Sequence, residues 1–109
     1  MRPDTPAMLD QLGAAYQTLL SRAQPPEADR ARLLGVLDDL RWYAERLGAL
    51  RWETPPRPGR WSFAENLWHI VEQAIDAAYT PEPRSIVYFI DHGKEHVGQA
   101  AEIFALFEY

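Results

Sequence analysis

Proline divides the sequence into four segments of helical length. Prolines stand at 25–26, within the stretch 54–59 and at 81–83, while the segments between them contain none beyond Pro6, which lies close to a segment start. Because proline lacks an amide hydrogen and clashes with the preceding helical turn, this spacing is typical of helices joined by short connections. The pattern predicts four helices, called segments one to four, at 5–23, 27–50, 62–79 and 85–107.

Apolar residues recur within each segment at intervals of three and four, which gives each predicted helix one apolar face. Thr5 can cap segment one ahead of Pro6, and Ser62 with Glu65 forms a capping box for segment three. Segment four starts with a strand-like run at 86–90, but the length of its pattern favours a helix. We therefore predict an all-α fold, a four-helix bundle. The predicted apolar faces include Met8, Leu12, Tyr16, Leu19, Leu33, Leu37, Leu40, Ala44, Phe63, Leu67, Ile70, Ala74, Ile86, Phe89, Ile90 and Phe104.

The composition restricts the kinds of partner. The 109 residues are enough for one domain spanning 1–109, and 47% hydrophobic residues supply its core. A net charge of −5 without any Lys/Arg cluster argues against nucleic-acid binding, since phosphate contacts need a basic surface. No apolar run approaches the roughly 20 residues of a membrane span. The absence of cysteine and of an evident signal peptide fits a cytoplasmic protein.

The chain has three histidines, and their positions match in height along two neighbouring helices. His92 and His96 are four residues apart and share one face of segment four. With Glu82 taken as the turn to an antiparallel neighbour, His69 lies 13 residues before it, and the pair lies 10 and 14 residues after it. All three are then roughly 15–20 Å from the turn, so the rings can converge.

Three neutral imidazoles suit zinc, nickel, iron or copper, and they leave positions open for water or substrate, as in catalytic sites. Glu65 and Glu95 are weak catalytic candidates, because each could orient an imidazole or act as a base. The alternative is that the histidines only form hydrogen bonds within the core or face water, and that both glutamates face solvent.

Two other patterns are weaker. Residues 92–96 match the inverted zinc-protease motif H-x-x-E-H, but only 13 residues follow His96, too few for the rest of such an enzyme. The four tryptophans are interpreted as core and loop anchors rather than as a ligand cage. They are Trp42, Trp52, Trp61 and Trp68.

Two stretches resemble the motifs of the DinB-like superfamily. GRWSFAENLWHI at 59–70 is similar to the motif in which a tryptophan and a serine open the helix that carries the first histidine. HGKEHVGQ at 92–99 is similar to the later H-x-x-x-H followed by Gly-Gln. The resemblance covers roughly 33–103.

The resemblance implies a four-helix bundle with a divalent metal site at His69, His92 and His96. It also implies a small-molecule substrate and a low-molecular-weight thiol such as bacillithiol or mycothiol, in a thiol S-transferase or a thiol-dependent isomerase. A metal that activates water instead of a thiol would make the protein a hydrolase. The chain is shorter than usual and lacks the helix that the family places between the first-histidine helix and the H-x-x-x-H helix. Segment one or a second subunit is expected to take its place. The alternative is a non-catalytic interaction module, a homodimer with a vestigial histidine site.

Overall fold

A computed structural model describes residues 2–81 and 84–108. Within these residues the chain forms four α-helices and no strand, as the sequence predicts. The turn centre expected at Glu82, and the adjacent Pro83, lie outside the described residues. The helices are α1 (Thr5–Ala23), α2 (Glu27–Leu47), α3 (Phe63–Ala78) and α4 (Ile86–Glu108), with a single 3-10 turn at Ala49–Arg51.

The two helix starts for which caps were predicted differ in outcome. The capping box of α3 is present: the Glu65 amide donates to the Ser62 hydroxyl at 3.1 Å, and the Ser62 amide donates to the Glu65 carboxylate at 2.9 Å. At α1 the expected cap was wrong by one residue. Asp4 is the cap, its carboxylate accepting from the Ala7 amide at 2.9 Å, and Thr5 is already the first helical residue. An ionised carboxylate is among the best caps, and it also suits the positive end of the helix dipole.

Helix α2 ends three residues earlier than predicted. Gly48 has a positive φ of 79°, which glycine adopts at little cost, and it turns the chain out of the helix. The carbonyl of Ala44 in the last helical turn accepts from the Gly48 amide at 3.1 Å and also from the Trp52 indole at 2.8 Å. Leu50, which the apolar pattern placed in the helix, is 95% exposed.

Side-chain contacts fix the directions of the helices. Arg22, at the end of α1, donates to the carbonyls of Ala77 and Ala78 at the end of α3, so α1 and α3 run parallel. Trp42 and Phe104 meet near the ends of α2 and α4, so these helices are parallel as well. Since α1 packs mostly against α3, and α2 mostly against α4, the connection 48–62 crosses one end of the bundle. Helix α1 thereby lies beside the helix that carries the first histidine.

One continuous apolar core runs between the helices. It is filled mainly by leucine and alanine rather than by tryptophan, since Trp42 and Trp61 are 45% and 50% exposed and the other two indoles are half-buried. Trp61 lies in the connection 48–62, as expected for a loop anchor, whereas Trp42 lies on α2 with much of its ring exposed. Full burial is rare for so large a ring. None of the described helices combines the length and apolar character that crossing a bilayer requires. The largest fully buried side chains include Met8, Leu12, Tyr16, Leu33, Leu40, Phe63, Leu67 and Ile103.

Candidate metal centre

The three histidines converge between α3 and α4. His69 lies 5.2 Å from each of the other two rings, centroid to centroid, and His92 and His96 are 4.7 Å apart. Each ring offers one nitrogen, and these three nitrogens lie within 4.8 Å of one another. The matching heights inferred from the sequence therefore correspond to a real cluster, and the three side chains could hold one metal ion.

The spacing of two of the nitrogens suits a small transition-metal ion. The Nε2 atoms of His92 and His96 are 3.2 Å apart. Two nitrogens bound to a tetrahedral zinc at about 2.05 Å would be separated by about 3.3 Å. The one-turn spacing on α4 thus presents two ligand atoms at nearly the distance that one ion would require.

Burial favours the neutral imidazoles of His92 and His96. The pKa of His96 is lowered from 6.5 to about 4, first by burial and then by the nearby His92 and His69 rings, against smaller opposing effects of Glu95 and Gln99. The pKa of His92 is also lowered, first by burial and then by His69. Neutral imidazoles keep a lone pair for a metal, whereas protonated rings do not.

His96 is held by a residue that the sequence analysis missed. Its Nδ1 lies 3.0 Å from the side-chain oxygen of Asn66, whose amide nitrogen donates to the carbonyl of Ser62 at 3.0 Å. His96 and Asn66 are 5% and 4% exposed. An asparagine one turn after a capping serine and three residues before His69, among apolar neighbours, was the available signal.

The histidines lie along an open cleft of about 490 Å³. One wall comes from the connection 48–62, where the Trp61 ring lies 5.6 Å from His69. Arg60 forms an ion pair with Glu102 of α4, which ties this connection to the helix that carries two of the histidines. Tyr88 stacks on His92 at 5.6 Å and 26°. The cleft therefore combines the three imidazoles with aromatic and charged side chains.

The two glutamate candidates are in different places. Glu95 is exposed and lines the cleft beside His92 and His96. Glu65 does not line it, and its carboxylate accepts from the Ser62 amide in the capping box. Glu95 thus lines the main cleft, whereas Glu65 lines a separate, smaller pocket that includes His69 and Trp61.

These features define a class: an α-helical bundle with a three-histidine candidate metal centre in an open cleft. The sequence model of the DinB superfamily matches residues 27–92, more than half of the chain, and the protein belongs to this superfamily. The match contains His69 and His92, whereas α1 and His96 lie outside it. A search of curated proteins and a search of solved structures each found no match.

Proposed function

We propose that the protein binds a divalent metal ion through His69, His92 and His96 and uses it in a transfer or hydrolysis reaction. The observation that carries the proposal is the convergence of three ring nitrogens within 4.8 Å at an open cleft. Membership of a superfamily of metal-binding bundles supports it. Zinc, nickel or iron would suit three imidazole ligands.

The donor set is of the catalytic rather than the structural kind. Three neutral ligands leave at least one coordination position free, and the cleft gives that position access to small molecules. A metal bound there would lower the pKa of a water or thiol and so supply a nucleophile near neutral pH. We propose a low-molecular-weight thiol as the co-substrate, on the resemblance of the motifs at 59–70 and 92–99.

Within this reaction Glu95 is the proposed proton acceptor or donor. It is exposed, lines the cleft and lies close enough to His92 and His96 to oppose the lowering of their pKa values. A carboxylate in this place could take a proton from an incoming nucleophile or return one to a leaving group.

Metal content is the measurement that tests the proposal. Elemental analysis of untagged protein purified without chelator should find near-stoichiometric metal in the native chain. The His92→Ala/His96→Ala double variant, purified in parallel, should have lost it. Absence of metal from both proteins, even after refolding with zinc or nickel, would refute the proposal.

The second candidate is a non-catalytic module that forms a homodimer. One observation favours it: Trp42, 45% exposed, forms an aromatic cluster with Tyr43 and Phe104 at one end of the α2–α4 face. Exposed aromatic clusters are common in interfaces. A monomer in sedimentation equilibrium, unchanged by Trp42→Arg, would exclude this candidate.

A further inference from the structure

We infer that Asn66 is a positioning residue, which fixes the proton of His96 on Nδ1 and thereby directs the Nε2 lone pair toward His69 and His92. The value of this arrangement for metal binding rests on the proposed function. The hydrogen-bond pattern itself does not, because it is a property of the metal-free side chains.

The orientation of the Asn66 amide follows from its first partner. The carbonyl oxygen of Ser62, 3.0 Å away, can only accept a hydrogen bond, so the Asn66 group facing it must be the NH2. The amide oxygen of Asn66 therefore faces the imidazole of His96.

The tautomer of His96 follows from the second contact. An amide oxygen can only accept, and it lies 3.0 Å from Nδ1, so Nδ1 must carry the proton. A neutral imidazole has one N–H, which leaves Nε2 with its lone pair. That atom faces Nε2 of His92 at 3.2 Å, on the side where the three ring nitrogens converge.

Ser62, at the far end of this chain of hydrogen bonds, is held firmly in place. Ser62 is fully buried, and its hydroxyl and amide are both engaged in the capping box of α3. The chain from Ser62 through Asn66 to His96 thus connects the start of α3 with a ligand on α4. Metal-binding histidines commonly depend on such a partner on the opposite ring nitrogen, and its loss typically costs about 10–100-fold in metal affinity.

Two substitutions separate positioning from folding. Asn66→Leu removes the acceptor while keeping a side chain with the same number of heavy atoms and the same branching, so Nδ1 no longer has to carry the proton. Asn66→Asp keeps an oxygen for His96 Nδ1–H but sets a carboxylate oxygen against the Ser62 carbonyl, so it should lower stability while retaining the tautomer. Urea unfolding of both variants gives their stabilities.

The first readout is the nitrogen-15 NMR spectrum of the imidazoles in metal-free protein at pH 8. We expect Nδ1–H for His96 in the wild type and in Asn66→Asp, and loss of that state in Asn66→Leu. An Nε2–H tautomer of His96 in the wild type would overturn the inference.

The second readout is zinc affinity, measured by competition with a chromogenic chelator. We expect a loss of about 10–100-fold for Asn66→Leu and a much smaller loss for Asn66→Asp, although Asp is also destabilised. If the losses of zinc affinity in the two variants simply followed their losses of stability, the positioning role would be overturned. If the wild-type protein carries the His96 proton on Nδ1 but binds no zinc, the proposed function is refuted while the assigned tautomer stands.

Discussion

Burial of His96 couples its protonation to folding. Its pKa is about 4 in the folded chain against 6.5 for the free side chain, so between these values the unfolded chain binds more protons. The contribution of neutral His96 is therefore complete above pH 6.5 and is lost as the pH falls from about 6.5 to about 4. We expect metal-free wild type to lose more free energy of unfolding across this range than His96→Gln, which cannot titrate there.

Urea unfolding at pH 7.5, 6 and 5 in the presence of chelator measures this difference. Carboxylates that titrate in the same range are common to both proteins, so they cancel in the comparison. Parallel curves for the two proteins would show that His96 keeps an ordinary pKa in the folded chain.

The carboxylate of Glu65 caps the start of α3. Glu65→Ala removes the acceptor for the Ser62 amide and should cost about 1 kcal/mol of stability, as loss of a capping group does. Glu65→Gln retains an acceptor and should cost much less. Because the Glu65 carboxylate is engaged in the capping box, we expect neither change to alter zinc affinity.

Thermal unfolding and zinc titration of the two variants provide the check. A Glu65→Gln variant that stays fully stable but loses zinc affinity would assign Glu65 a role at the metal site that the capping box argues against.

At the scale of the helices, α4 packs closely against α2 at Gly93. A Cβ at Gly93 would lie 2.6 Å from a methyl carbon of Val36, whereas a Cβ at Gly98 would have no neighbour within 4 Å. Gly93→Ala should therefore destabilise the bundle by about 1–3 kcal/mol, the usual cost of overpacking. Gly98→Ala, on the same helix, should be neutral or stabilising by up to about 1 kcal/mol.

The double variant Val36→Ala/Gly93→Ala isolates the contact. Because Val36→Ala removes the two methyl groups in question, the double variant should be more stable than the sum of the single effects predicts. Urea unfolding measures the three stability changes. If the change in the double variant equals the sum of the two single changes, the cost of Gly93→Ala does not come from its contact with Val36.

Local signals account for what the sequence could predict about the elements. The prolines marked the connections, the Ser62/Glu65 pattern marked the start of α3, and equal distances from a turn brought His69 level with His92 and His96. These inferences need only helical geometry. The early end of α2 was missed because the apolar pattern continues to Leu50, although Gly48 was the residue able to end the helix.

The remaining features of the site depend on contacts between residues distant in the chain. Asn66 meets His96 across 30 residues, and the connection carrying Trp61 reaches the cleft only because it crosses the end of the bundle. The pairing of α1 with α3 likewise follows from how four apolar faces share one core. Periodicity identifies such faces but does not determine which ones meet.

At the scale of the whole molecule, a bound metal ion should act as a link between α3 and α4. In the unfolded chain His69 is on average far from His92 and His96, so metal binds the native state preferentially and stabilises it by mass action. With free zinc at about 100 times Kd the gain is about 2.7 kcal/mol. For a chain of this length that gain corresponds to a rise in Tm of about 10 °C or more.

Differential scanning calorimetry with zinc and with chelator measures this rise, and His92→Ala/His96→Ala should show none. The control also separates the site from other effects of zinc, because nonspecific binding to the acidic surface would shift both proteins equally. An equal Tm for the wild type with zinc and with chelator would mean that three converging imidazoles do not suffice for binding here. In that case the contacts of α1 with α3 and of α2 with α4, rather than a metal link, would hold the bundle together.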